Sequence, residues 1–398
     1  MPSTFAWIAH DDQEAQRVRE ALAAFDEQGM QDPLGFGPIR DAFSEMLFPG
    51  TSTVHTRARY FVLIPWIYRS LDEDGVAPAV GAARAREREL ALIESLLRGS
   101  ADHDGIIGRQ SRGDTRQLPS AVYWGGLGRW GIRRFPGTRA EYVATLARRR
   151  RRHHDDADPD ATEWTGAWHP ALPSAPDHWL EQTSIELTTD EADFLRTRIL
   201  DSTRGSYLAH LARDATPGGW PDFPWDHPVA ATASPDVRRQ LMHARLFSLV
   251  QHGAALRYNR ELSALLEADG FDPLAADYHA GLEGWIDAMD AHAELLHSWD
   301  RTDLWSTVHE QNPRLSATVR AFADWWFDQA VDDPQTAARS APVGEQLRQR
   351  EATIKGARAK LANRRARERS PVAQGGGRLA FRWPQVRRIL DDILEAVT

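Results

Sequence analysis

The sequence predicts a mostly α-helical protein. Apolar residues recur at spacings of three and four along most of the chain, whereas the alternation that is typical of β-strands is rare. Helix-start signals precede several of these segments: Pro38 follows two glycines, and Thr188 stands three residues before Glu191, as in a capping box. We expect a multi-helix N-terminal domain, a central helical bundle and a basic C-terminal helical arm.

The N-terminal domain is expected to cover residues 1–152. Its first helices are expected from Pro38 to a stop at Pro49-Gly50, from Thr51 through Arg59 towards Pro65, and from Ala82 to Arg98. Farther along, the segment Leu118–Phe135 combines a short serine-capped helix, several glycines and two arginines. This combination favours a helix-turn-helix-like unit, whose aromatic residues would form a core or a stacking surface.

The central bundle is expected to cover residues 178–330. It follows a segment rich in Asp, Pro, Ala and Trp without periodicity, which indicates a domain boundary. Helices are expected from Thr189 to Leu200, from Pro235 onward, from Tyr278 to Trp299 and from Leu315 to Ala330. A second irregular stretch is expected over residues 332–344.

The C-terminal arm is expected to cover residues 345–398. One charged helix is predicted from Glu345 to Glu368, because Leu347, Ile354 and Leu361 stand at a seven-residue spacing. The last helix is predicted from Pro384 and carries a regular apolar stripe, which must dock on another surface.

The composition excludes several kinds of site. The chain has 398 residues and no cysteine, so disulfides, cysteine nucleophiles and thiolate metal sites are excluded. The N-terminal segment lacks the basic start and apolar core of a signal peptide. The longest strongly apolar run, Tyr60–Tyr68, is far shorter than the roughly 20 residues of a membrane span. We therefore expect a cytoplasmic protein that does not cross a membrane.

Positive charge is concentrated in two blocks. Residues 109–152 carry twelve arginines against two acidic residues, and residues 345–388 carry thirteen basic against three acidic residues. The formal net charge of the whole chain is nevertheless -9, so the remainder is strongly acidic. Two basic blocks on an acidic protein favour one surface that binds a polyanion, although pairing of the blocks with the acidic remainder would explain them equally well.

Motifs for a cofactor or a resident metal are weak, and we predict neither. Gly126 to Gly131 fits the dinucleotide pattern G-x-G-x-x-G, but arginines stand where the expected acidic residue should follow. Glu294-x-x-His297 matches half of a di-iron pattern whose second copy does not occur in the sequence. A metal-dependent nuclease could still assemble carboxylates from separate helices, so catalysis stays an open question.

Basic residues are the candidate nucleic-acid contacts. Pro49 to Thr53, leading into a helix, would offer free amides and hydroxyls to a phosphate, with two arginines in the next turns. The alternative is that Thr51 or Thr53 only caps the helix and that Arg57 pairs with Asp41 or Glu45. The candidate contacts in the whole chain are Arg57, Arg59, Arg133, Arg134, Arg149, Arg150, Arg151, Arg152, Lys355, Arg358, Lys360, Arg364 and Arg365.

The segment Asp32–Tyr68, DPLGFGPIRDAFSEMLFPGTSTVHTRARYFVLIPWIY, resembles the N-terminal signature of a bacterial domain-of-unknown-function family. Looser resemblance covers Leu118–Ile132, the helix from Arg350 to Leu361, and Phe381-Arg382-Trp383, where the family pattern has tyrosine before the Arg-Trp pair. Members of this family occur near helicases and other anti-phage defence genes. The resemblance implies a defence component with helicase or nuclease partners and implies no catalytic residue.

The sequence thus favours a non-catalytic component of a bacterial defence system that binds the phosphate backbone of nucleic acid. One alternative is a metal-dependent nuclease. The other is an assembly subunit without nucleic acid, which would dock on a protein partner through the C-terminal helix and the arginine-rich helix.

Overall fold

The computed structural model describes residues 32–147, 166–274, 276–373 and 375–397. The predicted helical class is confirmed: within these ranges the chain forms α-helices and short 3₁₀ turns and no β-strand. A single isolated bridge joins Arg133 and Trp168. The arginine run 148–152 lies outside the described residues.

Within the described ranges, eight helices precede residue 235. They are α1 (Gly37–Leu47), α2 (Tyr60–Glu73), α3 (Pro78–Gly99), α4 (Pro119–Arg129), α5 (Arg139–Ala144), α6 (Thr189–Ser202), α7 (Tyr207–Asp214) and α8 (Val229–Thr232).

Nine helices follow in the described part of the chain. They are α9 (Pro235–Ala268), α10 (Tyr278–Ala291), α11 (Ala293–His297), α12 (Arg301–Gln311), α13 (Ala317–Asp332), α14 (Pro334–Arg339), α15 (Ala341–Lys355), α16 (Arg364–Arg369) and α17 (Trp383–Val397).

These helices divide into two compact units, each built from separate stretches of chain. The 43–242 unit combines Phe43–Met242 with the segment from Ala380 onward, and the 243–379 unit combines His243–Leu379 with the described residues up to Ala42. The three consecutive domains expected from composition stay a prediction, since this division follows spatial contacts rather than changes of composition along the chain.

Helix α2 is the centre of the 43–242 unit. Its first nine residues and Leu71 are all buried, and it packs against α3 and α4. The helix continues through Pro65, where the sequence predicted a disturbance. A proline inside a helix costs roughly 3 kcal/mol, but each fully buried large side chain contributes about 1.5–3 kcal/mol, so burial on all sides outweighs that cost.

Helix α17 completes the same unit. It packs against α6 and α7, and Val386, Ile389, Leu390 and Ile393 have no exposed surface. The expectation that this stripe must dock is confirmed, and its docking surface belongs to the chain itself.

Tryptophans organise the core of the 243–379 unit. The indoles of Trp285 and Trp326 stack with centroids 6.2 Å apart, and each donates a hydrogen bond to a backbone carbonyl of α9, at Leu249 and Val250. Both donors are therefore satisfied inside the apolar core, as buried indoles require. These two hydrogen bonds thus fix α10 and α13 against α9.

Local sequence signals correctly predicted where several helices start. The capping box of Thr188 and Glu191 opens α6, and Pro38 lies in the first turn of α1. The helix predicted over Tyr278–Trp299 is interrupted at His292 and becomes α10 and α11.

Two expectations about regular and irregular structure were wrong. The helix expected from Thr51 begins only at Tyr60, because residues 51–59 form turns. The irregular stretch expected over 332–344 contains α14 and the first turn of α15. Asp333 caps the start of α14, and Pro334 takes its first helical position.

In the described ranges no helix is both long and apolar enough to cross a membrane.

The burial of α17 makes a prediction about stability. Replacing Ile393 with alanine removes a fully buried side chain from the contact with α6 and α7, so we expect the free energy of unfolding to fall by about 2–5 kcal/mol in urea denaturation. Glu395, exposed on the same helix, is the matched control, and its change to alanine should cost under ~0.5 kcal/mol. Equal losses for the two variants would contradict this packing.

Candidate phosphate-binding surface

The second basic block folds as a turn rather than as one helix. Helix α15 ends at Lys355, and Gly356 has a φ of 54°, in the left-handed region that favours glycine. The continuous helix predicted over 345–368 is therefore wrong. We call the segment Lys355–Arg369, which includes a 3₁₀ turn and α16, the basic turn.

A buried carboxylate holds the basic turn against α15. Glu351 accepts hydrogen bonds from the backbone amides of Lys360 and Leu361, both at 2.8 Å. The hydroxyl of Tyr258 donates to the same carboxylate at 2.5 Å. A buried carboxylate needs such donors, so Glu351 holds the backbone of Lys360 and Leu361 against α15, the helix that the chain has just left.

Arg367 anchors the other half of the turn. Its guanidinium, 7% exposed, pairs with Asp269 at 2.6 Å and donates to the carbonyl of Lys360 at 2.6 Å. Asn363 then joins the two halves, since its side chain donates to the carbonyl of Ala357 at 2.7 Å and accepts from the amide of Arg365 at 3.0 Å. The end of α15 and the start of α16 are consequently held close together.

Four basic side chains of the turn remain directed outward. Arg358, Arg365 and Arg369 are exposed and Lys355 is half-exposed, and none of the four forms an ion pair in the described part of the chain. Arg365 and Arg369 are four residues apart on α16 and share one face. These four side chains form the outward basic surface.

The two other predicted residues of this block are engaged within the unit. Arg364 pairs with Glu368 at 3.1 Å and with Asp269 at 3.7 Å. Lys360 is buried, and its ammonium donates to the carbonyl of Val372 at 3.2 Å and to the hydroxyl of Ser370 at 3.4 Å. Burial lowers the pKa of Lys360 to about 8, although the nearby Glu351 acts in the opposite direction.

Arg57 and Arg59 turn inward within the 43–242 unit. Arg57 forms a two-pronged ion pair with Asp392 of α17 at 2.9 Å, and not with Asp41 or Glu45 as the sequence analysis considered. Arg59, 6% exposed, forms a similar pair with Glu191 at 2.8 Å. Because residues 51–59 form turns, Thr51–Thr53 do not open a helix that could present its positive end to a phosphate.

Arg133 and Arg134 point in different directions. Arg133 lies over the ring of Trp124, with 4.9 Å between guanidinium carbon and ring centroid, and donates to the carbonyls of Trp124, Phe135 and Gly137. Burial lowers the pKa of Arg133. Arg134 is exposed. Of this pair, Arg134 alone retains a side chain directed to solvent.

The whole-chain comparison identifies the family. A model of a family of unknown function, DUF6361, matches residues 2–397. The chain belongs to this family. No curated protein and no solved structure matches the chain.

The weaker motifs of this DUF6361 chain have structural explanations. Gly126 and Gly128 of the dinucleotide-like pattern lie inside α4, where a side chain at Gly126 would come within 2.5 Å of the carbonyl of Gly50. These glycines therefore permit close packing rather than a phosphate loop. The Nδ1–H of His297 donates to the carbonyl of Ala293 in its own helix, and within the described ranges no three His, Asp or Glu side chains gather as a metal-binding group.

Sequence analysis missed the residues that shape the basic turn. Glu351 was counted only as an acidic residue in a basic block, and its role depends on backbone amides nine and ten positions later. Asn363 could have been found, because asparagine is a preferred N-cap residue and a helix begins directly after it.

The buried ion pair of Arg59 gives a stability prediction for this DUF6361 chain. Changing Arg59 to alanine leaves Glu191 buried without its partner, so we expect a loss of about 3–5 kcal/mol in the free energy of unfolding. The control is Arg59→Met combined with Glu191→Gln, which removes both charges and keeps an N3 residue that suits the capping box. A single-variant loss no larger than that of the control would contradict the burial of this pair.

Lys360 gives a pH prediction. Its pKa is about 8 in the folded protein and about 10.4 in an unfolded chain, so the unfolded state binds more protons between these values. The stability of the wild type should therefore rise with pH from about 8 to about 10, relative to a Lys360→Met variant that lacks the titrating group. Urea unfolding of both proteins across this range measures the difference, and parallel curves would refute a lowered pKa.

Proposed function

We propose that this protein binds the phosphate backbone of nucleic acid through the outward basic surface and acts as a non-catalytic component of a bacterial defence system. The observation that carries the proposal is the set of four basic side chains, within fifteen residues, that the described fold leaves without an ion pair: Lys355, Arg358, Arg365 and Arg369. Other basic residues of the same turn find acceptors inside the unit, so these four are directed outward by the way the turn is anchored.

The charge of the rest of the chain supports a localised contact. The net charge of -9 repels a polyanion over most of the protein, whereas the basic turn attracts it. Arginine suits this role because its planar guanidinium can donate two hydrogen bonds to one phosphate. The exposed Arg134 and the run Arg149–Arg152, which lies outside the described residues, are a second set of proposed contacts.

The proposed place in defence rests on the sequence resemblance to a family found beside helicase and anti-phage genes. A protein that holds nucleic acid without cutting it would act beside such an enzyme, which supplies the catalysis. The assembly-subunit alternative loses one of its two docking surfaces, because the apolar face of α17 is buried in the 43–242 unit.

The proposal predicts the salt dependence of binding. Changing Arg358, Arg365 and Arg369 together to alanine removes three phosphate contacts, so the slope of log affinity against log salt should become shallower by about 2 to 3 for a DNA duplex. Fluorescence polarisation of a labelled duplex across a salt series measures this slope. A further variant with Arg149–Arg152 changed to alanine tests the second set in the same assay.

The matched control removes the same charge elsewhere. Arg69, Arg84 and Arg204 are exposed and pair with Glu73, Glu87 and Asp201 of their own segments. Their joint change to alanine should leave the salt slope unchanged. Equal slopes for the wild type and the basic-turn variant, or absence of binding at low salt, would overturn the proposed function; cleavage of the probe would overturn its non-catalytic part.

A further inference from the structure

An aromatic edge of α13 lies in the same unit as the basic turn. Phe322 and Trp325 are both half-exposed, with ring centroids 5.5 Å apart. They stand three residues apart, on the border between the buried face of α13 and its solvent face. The core tryptophan next in sequence, Trp326, is fully buried. Trp325 lies beside it, with ring centroids 6.3 Å apart, and keeps part of its ring exposed.

A row of contacts leads from this edge to Arg350 and Ile354 of α15, which precede the basic turn in the sequence. The guanidinium of Arg350 lies 4.6 Å from the ring centroid of Phe322 and donates to the carbonyls of Leu34 and Thr318. Arg350 and Ile354 share one face of α15 and both approach Gly35. Lys355 follows directly, about 7.5 Å farther along the helix axis than Arg350 at 1.5 Å per residue. The aromatic and apolar side chains thus lie along a path of contacts that ends one residue before the basic turn.

Trp325 is the member of this row that is available to a ligand. Phe322 is covered by Arg350 and by Phe36, whose centroid is 5.4 Å away. The indole N–H of Trp325 makes no hydrogen bond in the described part of the chain, unlike those of Trp305 and Trp326. An indole usually finds a partner when it is enclosed by protein, so an unpartnered and half-exposed one is suited to contact with a bound molecule.

The charges around Trp325 do not oppose a polyanion. Asp324 pairs with Arg320 and accepts from the indole of Trp305, and Asp328, three residues after Trp325, pairs with Arg301. Ile354, 38% exposed, is one of the few large apolar side chains exposed in the described ranges and directly precedes the basic turn in the sequence. An apolar platform beside unpaired basic residues matches a ligand that has flat apolar faces and phosphates.

We propose that this row binds single-stranded nucleic acid, with an unpaired base stacked on Trp325 and phosphates farther along the same strand at Lys355 and Arg358. The inference rests on the proposed function and names its substrate class. Stacking on an aromatic side chain needs a free base face, which a single strand offers and a duplex keeps inside its own stack. Basic side chains alone would not distinguish the two forms in this way.

The test compares one labelled single strand of about 20 nucleotides with the duplex made from it, both bound by the full-length protein in fluorescence polarisation. Changing Trp325 to alanine should weaken single-strand binding roughly 5- to 150-fold, leave duplex binding unchanged and leave the salt slope unchanged. Trp325→Phe keeps an aromatic face and should retain most of the affinity. Val80→Ala, at an exposed position of the 43–242 unit, is the control for loss of surface apolar area.

The outcomes separate this inference from the proposed function. Stacking is overturned if Trp325→Ala leaves single-strand affinity unchanged or weakens single-strand and duplex binding equally. It is also overturned if Trp325→Phe loses as much single-strand affinity as Trp325→Ala. The proposed function then still stands if the basic-turn variant shows the shallower salt slope. If the wild type binds neither probe at low salt, both fall. Thermal unfolding of each variant shows whether a loss of binding reflects a loss of fold, and Trp325→Phe then decides the question.

Discussion

Pairing of arginine with carboxylate and carbonyl oxygens is the constraint on which the rest of the structure depends. The chain has 48 basic residues, and an arginine that the fold buries cannot lose its charge, so it needs acceptors. Arg59 pairs with Glu191, 132 positions later in the sequence, and Arg57 pairs with Asp392, 335 positions later. These pairs connect α6 and α17 to the segment before α2. The same requirement acts in the basic turn, where Lys360 and Arg367 turn inward to acceptors, Arg364 pairs at the surface, and the four unpaired residues form the outward basic surface.

Much of the fold could be predicted because its signals are local. A capping box, a proline in a first turn or an apolar stripe lies within a few residues of the helix it specifies, and α1, α6 and α17 were predicted on that basis. Two of the failures, at Pro65 and Gly356, occurred where contacts distant in sequence decide. Burial of α2 on all sides outweighs the proline, and the carboxylate of Glu351 binds backbone that has already left the helix. Neither effect is visible in a window of neighbouring residues.

The sequence predicted which segment concentrates positive charge, but not which of its side chains are exposed. Residues Arg364, Arg365 and Arg367 are chemically alike, yet one is paired at the surface, one is free and one is buried. Their directions depend on Asp269, which stands 98 positions before Arg367. A net charge summed over a segment cannot show which of its arginines are paired, buried or exposed. The half-exposed position of Trp325 was hidden for the same reason, because Trp325 and the buried Trp326 are identical residues in one helix and only their neighbours differ.

The 43–242 unit is built from two separate stretches of chain, and this has a consequence for folding during synthesis. Its last helix, α17, follows the whole of His243–Leu379 in the sequence, so at about 5–20 residues per second roughly 7 to 30 s pass between Met242 and Ala380. During that interval the apolar surfaces of α6 and α7 that α17 later covers are exposed on the nascent chain. The 243–379 unit, whose described residues all precede Ala380, can complete its core first. The unit whose larger part leaves the ribosome later can therefore be completed first, and the uncovered helices stay accessible to chaperones until α17 has emerged.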